Sequence, residues 1–172
     1  MHSRLRGYRV PLNERASCVS QDAVPIRKSA VSHLLVVLQF SAIALIAWPF
    51  SEFAPGRLQW LSISGLGVVV GLYTLAHNKL GNFGIYPEPI PDSCLVTTGP
   101  YRWIRHPMYT SLLLCMLGIA LYQHARPNYL GMLILTIAGF GKMHREEAHL
   151  HTRFADYSDY VRRTHRLLPK IY

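Results

Sequence analysis

The chain has 172 residues, of which 50% are hydrophobic and 16% are charged, and its formal net charge is +9. Average soluble proteins contain about 25% charged residues, so the composition disfavours an ordinary soluble enzyme and fits a single domain embedded in a membrane. The net charge alone would also suit a nucleic-acid-binding protein, but the placement of the basic residues argues against that class.

Residues 1–30 are polar and show no periodic apolar face, which predicts an irregular basic tail. The chain contains three cysteines, Cys18, Cys94 and Cys115. Because they are odd in number and scattered, they predict neither a disulfide framework nor a metal-binding motif.

Four long stretches contain no Asp, Glu, Lys or Arg: Val31–Phe50, Leu58–Ala76, Pro107–Ala125 and Pro127–Gly141. A helix needs about 20 apolar residues to cross the hydrocarbon core of a bilayer, so the first two are long enough, the third is marginal and the fourth is short. We predict two transmembrane hairpins, over 31–76 and 107–141.

The basic residues fall on one side of this arrangement. All Lys and Arg residues except Arg57 and Arg126 lie in the segments 1–30, 77–106 and 142–172. Basic residues mark the cytoplasmic side of membrane proteins and suit anionic lipid headgroups. We therefore expect an all-α, multi-pass integral membrane protein of about four transmembrane helices, with both termini, the 77–106 loop and a C-terminal helix in the cytoplasm, and with no nucleic-acid partner.

The stretch Thr97–Tyr109 is the densest polar and aromatic segment of the chain, with two arginines, a histidine, two tyrosines and a tryptophan. The ends of a helical hairpin are adjacent, so Arg102, Arg105 and His106 should lie near Glu146 and Glu147. Cations, carboxylates and aromatic rings together suit a zwitterionic ligand with a planar base. The alternative is that the arginines only anchor the topology and the glutamates pair with them.

Three histidines, His144, His149 and His151, lie near these glutamates and raise the question of a metal site. Their spacing is not that of a His-Glu-x-x-His motif, and only Glu147 and His151 are four residues apart on one helical face. We predict no metal site.

Two motifs resemble a known family. Residues 95–101 read Leu-Val-Thr-Thr-Gly-Pro-Tyr and residues 105–109 read Arg-His-Pro-Met-Tyr, which is similar to the signature of the isoprenylcysteine carboxyl methyltransferase family, whose relatives include phospholipid N-methyltransferases. The C-terminal pattern of that family is matched by Glu146-Glu147, by the aromatic residues within 154–160 and by Arg-Leu-Leu-Pro at 166–169.

The resemblance implies an integral membrane enzyme that transfers a methyl group from S-adenosylmethionine to a lipophilic acceptor. Matched by motif, the residues that would bind the cofactor are Leu95, Val96, Tyr101, His106, Pro107, Met108, Tyr109 and Glu146, with Ser93 and Cys94 beside them. Arg105, Glu146 and Glu147 would be catalytic. Lys142 would contact the substrate, at a position where eukaryotic members have arginine, and Ser93 stands where some members have histidine.

The acceptor stays open between a prenylated cysteine carboxylate, a phospholipid amine and a small thiol. Two other classes also stay open. Membrane sterol-type reductases, which use NADPH, have a similar C-terminal architecture, and a non-catalytic membrane protein of the same fold would carry the same helices.

Overall fold

Four long α-helices make up the body of the molecule in the computed structural model, which describes residues 17–18, 27–52, 55–78, 82, 84–91 and 93–170. They are α1 (Ala30–Ala47), α2 (Leu61–His77), α3 (Pro107–Gln123) and α4 (Arg126–Arg153). A short helix, α5 (Tyr157–Arg163), follows α4. The remaining regular elements are 3₁₀ turns at Pro55–Trp60 and Gly99–Arg102, and two short strands, β1 (Ser17–Cys18) and β2 (Cys94–Leu95).

The predicted helical fold is confirmed, and two helices are long and apolar enough to cross a membrane. These are Ala30–Ala47 and the segment Gly56–His77. Only 22% and 17% of their residues are buried, so most of their apolar surface faces outward, as a lipid-facing helix requires. The helix Pro107–Gln123 is apolar but shorter, so four spans and their orientation remain predictions.

Helix boundaries follow from local chemistry. The Ser29 side chain caps α1 by accepting a hydrogen bond from the Ser32 backbone amide at 3.2 Å. Proline occupies the first turn of both α3 and α4, where its missing N–H leaves no hydrogen bond unmade. The turn between these two helices passes through His124, whose φ of 52° ends α3 in the left-handed conformation.

The bundle is built from two close helix pairs, α1 with α4 and α2 with α3, joined by contacts between α3 and α4. Gly67 allows α2 to approach α3 closely, because a Cβ there would lie 2.7 Å from the Cys115 backbone nitrogen. The Ser111 hydroxyl donates to the Gly67 carbonyl at 2.7 Å. Small residues that admit a hydrogen bond between helices are typical of membrane bundles.

α4 is longer than the sequence analysis predicted. We expected a helix ending at about Gly141, followed by a separate C-terminal helix, but α4 continues without interruption from Arg126 to Arg153. Residues 142–153 contain no glycine or proline, so the change from apolar to charged composition gives the backbone no reason to stop. Lys142, Glu146 and Glu147 therefore stand on the last turns of a bundle helix.

The prediction that the cysteines form no disulfide is wrong for Cys94. β1 and β2 pair antiparallel with Cys18 opposite Cys94, and Cys94 forms a disulfide bond, whereas Cys115 is free. The scattered spacing gave no sign of this, since strand pairing brings together residues that are distant in sequence. The rest of the predicted tail, apart from 17–18 and 27–30, lies outside the described residues.

Candidate active site

A cavity of about 620 Å³ opens at the end of the bundle where α1 and α3 begin and α2 and α4 finish. All four long helices contribute to its wall, together with the loop between α2 and α3 and with α5. Its volume falls in the range of about 300–1,000 Å³ that small-molecule sites occupy.

Most of the side chains that the sequence singled out lie in the wall of this cavity. They are Leu95, Val96, Tyr101, Arg105, His106, Pro107, Met108, Tyr109, Lys142 and Glu146. Glu147 is not part of the lining. The structure thus separates two adjacent glutamates that the sequence analysis grouped together.

A short backbone pairing fixes the residues before α3. His165 donates its backbone N–H to Trp103 at 3.0 Å, and its carbonyl accepts from Arg105 at 2.8 Å. The His106 backbone amide donates to Arg166 at 3.0 Å. This parallel pairing brings the two matched motifs together at the C-terminal part of α4.

Glu147 forms the centre of a buried ion-pair cluster. Its Oε1 accepts from Arg105 Nε at 2.8 Å and from His106 Nε2 at 3.1 Å. Its Oε2 accepts from Arg166 Nε at 3.0 Å and Nη2 at 2.7 Å. Burial alone would raise the pKa of Glu147, but these hydrogen bonds hold it well below its ordinary value. Glu147 is therefore an ionised anchor that orients two residues of the cavity wall.

Glu146 lies in the cavity wall itself and leaves 34% of its side chain accessible. His106 Nδ1 is 3.9 Å from Glu146 Oε2, too far for a hydrogen bond. Tyr109 lines the same cavity as Glu146. Burial raises the pKa of Glu146, against the opposing effect of His106 and Lys142. A carboxyl with a raised pKa can exchange a proton closer to neutral pH than its neighbour can.

Lys142 brings a buried ammonium group to the same wall. It is 3% exposed, and its Nζ donates to Gln39 Oε1 and to the Ile85 carbonyl, each at 2.6 Å. Burial lowers the pKa of Lys142, and the carboxylates of Glu146 and Glu88 act against that effect. An ammonium has three donors, so one remains for a ligand.

Tyr101 joins the loop to α2 and α5. Its hydroxyl accepts from Asn78 Nδ2 at 3.1 Å, and its carbonyl accepts from the Tyr160 hydroxyl at 2.8 Å. Burial raises the pKa of Tyr101 to about 12. The phenol therefore stays protonated in the cavity wall at physiological pH.

Glu88 is a cavity residue that the sequence analysis did not identify. It is 7% exposed, its Oε1 accepts from the Ser32 hydroxyl and lies 3.8 Å from Arg145 Nη2, and its Oε2 is buried without a hydrogen-bond partner in the described part of the chain. Although burial acts to raise it, Ser32, backbone amides and Arg145 hold the pKa of Glu88 below its ordinary value. The one available signal was an acid between two prolines, Pro87 and Pro89.

Two more polar atoms in the cavity wall lack partners among the residues that the structure describes. They are the hydroxyl oxygens of Ser93 and Tyr157. Buried polar groups are almost always hydrogen-bonded. Glu88 Oε2 and these two hydroxyls therefore form a set of unsatisfied polar atoms around one cavity.

The three C-terminal histidines take no part in this cavity. His151 stacks edge-on against Tyr157 with ring centroids 4.7 Å apart, and His144 is exposed. Within the described ranges, no group of three or more His, Cys, Asp or Glu residues is arranged to hold a metal ion.

Two curated relatives match much of the chain. The nickel-cobalt-cadmium resistance protein NccN of Alcaligenes xylosoxydans xylosoxydans is 29% identical over 79% of this chain. The cobalt-zinc-cadmium resistance protein CzcN of Cupriavidus metallidurans is 26% identical over 69% of it. The matches span 62% and 56% of the length of those relatives.

The sequence profile of the phospholipid methyltransferase family matches residues 59–157. The matched region runs from just before α2 to the start of α5, so it includes the cavity residues of 95–109 together with Lys142 and Glu146. The family is one of membrane methyltransferases. The resemblance seen in the sequence is confirmed, and the chain belongs to the phospholipid methyltransferase family.

Proposed function

We propose that the chain is a multi-pass membrane methyltransferase that uses S-adenosylmethionine and acts on a lipophilic acceptor, with its cavity on the cytoplasmic face. The observation that carries this proposal is the cavity at the polar end of the bundle. Two carboxylates, Glu88 and Glu146, share its wall with two cations, Arg105 and Lys142. Opposite charges held apart in one cavity suit a ligand that itself carries both signs.

The wall fits the chemical groups of S-adenosylmethionine. The unpaired Oε2 of Glu88 suits an ammonium group or ribose hydroxyls, and the unpaired Ser93 and Tyr157 hydroxyls offer further hydrogen bonds. Lys142 or Arg105 suits the ligand's carboxylate. The rings of Tyr101 and Tyr109 offer faces for a planar base and for a sulfonium cation.

When bound, S-adenosylmethionine supplies an activated methyl group, and the protein supplies position and a dry environment. A carboxylate acceptor would be held by the ammonium of Lys142 and needs no base. An amine acceptor must lose a proton, and ionised Glu146 would accept it, since its raised pKa makes it a better base than an ordinary carboxylate.

A lipophilic acceptor would meet apolar side chains in this cavity. Phe40 of α1, Leu75 of α2 and Leu112 of α3 line one side of it. α1 packs mainly on α4, and α2 packs mainly on α3. The two candidate membrane helices, α1 and α2, therefore belong to different helix pairs around the cavity. We propose a prenylcysteine-like carboxylate as the acceptor, with a phospholipid amine or a small thiol as the alternative.

Ligand titration tests the class of enzyme. The purified chain in detergent should bind S-adenosylhomocysteine in isothermal titration calorimetry and should not bind NADPH. Radiolabelled methyl transfer from S-adenosylmethionine over prenylcysteines, phospholipids and thiols then identifies the acceptor. Binding of NADPH would support a reductase, and binding of neither compound would support a non-catalytic protein.

Glu146 provides the test within the site. Glu146→Gln should weaken binding of S-adenosylhomocysteine or slow methyl transfer, because it removes a charge from the cavity wall. Unchanged affinity and turnover in this variant would remove Glu146 from the site.

A further inference from the structure

A second cavity, of about 350 Å³, is lined by other residues of the same loop and of the C-terminal region, and it shares only Tyr160 with the first. Its other walls are two arginines, Arg102 and Arg163, with three threonines and one glycine. No aspartate or glutamate lines it. The methyl-transfer cavity mixes both signs of charge, whereas this one is purely basic.

The two arginines are not neutralised by the protein. Neither forms an ion pair with a carboxylate in the described part of the chain. Asp159, the nearest acid in sequence, pairs through its carboxylate with Arg162 and gives Arg163 only its backbone carbonyl, at 3.2 Å. Two unpaired guanidinium groups in one concave surface favour an anion, and phosphate oxygens match their planar donors best.

Hydroxyl donors complete the lining. Thr98 precedes the 3₁₀ turn Gly99–Arg102, but its side chain makes no capping hydrogen bond. Thr97 lines the cavity beside it, and Thr164 donates to the Tyr160 carbonyl at 2.7 Å. The single hydroxyl proton of Thr164 is therefore used within the protein, and a tetrahedral anion would use the Thr97 and Thr98 hydroxyls together with the guanidinium groups.

The position of this cavity indicates where the anion comes from. Gly99, with φ of 59°, packs against His77 so closely that a Cβ would lie 2.3 Å from the imidazole. His77 is the last residue of the candidate membrane span Gly56–His77, so the cavity lies level with the end of that span. Trp103 is 50% exposed beside it, with the Arg102 guanidinium 5.2 Å from its ring. Exposed tryptophan is typical of the lipid headgroup region.

We propose that this basic cavity binds the phosphate group of an anionic membrane lipid, at a site separate from the methyl-transfer cavity. The lipid phosphate contacts Arg102 and Arg163, and the Trp103 ring lies among the headgroups. This assignment does not depend on S-adenosylmethionine use or on the identity of the methyl acceptor.

The test is titration of the detergent-solubilised full chain with short-chain phosphatidic acid, phosphatidylglycerol, phosphatidylcholine and inorganic phosphate, followed by calorimetry. The two anionic lipids should bind more tightly than phosphatidylcholine. Arg163→Ala should lower their affinity at least about tenfold, and Arg163→Lys should lower it less because the charge remains. Arg126→Ala, which removes the same charge from the start of α4, is the matched control and should bind as the unmodified chain does.

Equal losses in Arg163→Ala and Arg126→Ala would overturn the proposal, because they would mean general electrostatic attraction. Inorganic phosphate binding as tightly as the lipids would overturn the lipid assignment. Arg163 has an exposed side chain, so its variants should keep the helical circular dichroism spectrum of the parent.

Discussion

The ion-pair cluster around Glu147 lies beside the cavity wall that carries Glu88 and Glu146. The carboxylates of the two regions differ in how many hydrogen-bond partners they have. Both oxygens of Glu147 accept hydrogen bonds from cationic side chains. Glu88 keeps one buried oxygen without a described partner, and Glu146 is 3.9 Å from His106. A saturated carboxylate has no capacity left for a ligand, whereas an unsaturated buried one is unfavourable until something binds it. Because of this difference, we expect the Glu147 cluster to stabilise the fold and the cavity wall with Glu88 and Glu146 to bind a ligand.

The largest effect should follow from breaking the saturated region. Glu147→Gln removes the charge that pairs with two arginines, Arg105 and Arg166, and removing one partner of a buried ion pair costs about 3–5 kcal/mol. We expect a large fall in the thermal unfolding temperature of the detergent-solubilised protein.

The control for this variant is Asp159→Asn. It breaks the exposed pair with Arg162, and exposed pairs contribute only about 0–1 kcal/mol. Equal falls in unfolding temperature for the two variants would mean that the Glu147 cluster does not hold the site together.

The next effect should appear in binding, at the unsaturated oxygen of Glu88. Glu88→Gln keeps an acceptor for the Ser32 hydroxyl but removes the negative charge from the cavity wall. We expect the affinity for S-adenosylhomocysteine to fall about tenfold, equivalent to about 1.4 kcal/mol, with little change in unfolding temperature. Glu52→Gln, an exposed position at the other end of α1, is the matched control in the same calorimetric titration. If both variants bind like the parent, Glu88 has no role in the site.

A smaller and acceptor-dependent effect should follow from Lys142→Met, which keeps the apolar stem and removes the ammonium. With a prenylcysteine carboxylate as acceptor, KM should rise severalfold, because a charge-assisted hydrogen bond is lost. With a phospholipid amine, KM should stay the same. Radiolabelled methyl transfer with each acceptor measures both values. An equal loss with both acceptors would instead assign Lys142 to the carboxylate of S-adenosylmethionine or to structure, through its bonds to Gln39 and Ile85.

The smallest effects should be on the pH dependence of stability, which the adjacent Glu146 and Glu147 change in opposite directions. The pKa of Glu147 lies below the usual 4.5, so its stabilisation is complete above that pH and is lost as the pH falls toward the folded-state pKa. The pKa of Glu146 lies above 4.5, so the folded chain keeps that proton longer. Its contribution is present below pH 4.5 and is lost as the pH rises through the folded-state pKa.

Unfolding temperatures measured across pH for the parent and two variants would separate these slopes. Glu146→Gln should flatten the decline on the rising-pH side, and Glu147→Gln should flatten the decline on the falling-pH side. Two variant profiles parallel to that of the parent would mean that neither carboxyl changes its pKa on folding.

Much of this arrangement was predictable from local sequence. Uncharged stretches mark the helices, and the hairpin argument correctly brought Arg105 and His106 to Glu147. It was wrong for Arg102, which lines the second cavity instead. The separation of Glu146 from Glu147 was not predictable at that level. Neighbouring residues on a helix point about 100° apart, and only the packing of α4 decides which of them faces the cavity.

The features that sequence reasoning missed depend on distant contacts. Glu88 belongs to an irregular proline-rich loop without periodicity, and its burial depends on Ser32 of α1. The bonded state of Cys94 depends on pairing with a strand far back in the chain. The end of α4 was misplaced because a change in composition was interpreted as a change in structure.

The continuity of α4 has a mechanical consequence. At 1.5 Å per residue its 28 residues form a rod roughly 42 Å long, with an apolar half packed on α1 and a charged end that carries Lys142, Glu146 and Glu147. Gly139 and Gly141 stand just before the charged end, but the helix continues through them without interruption. A continuous helix transmits tilt, so a change in bilayer thickness that tilts the apolar half would displace Glu146 relative to the loop that carries Glu88. We expect the distance between these two carboxylates, and any reaction that depends on it, to respond to the acyl-chain length of the surrounding lipid.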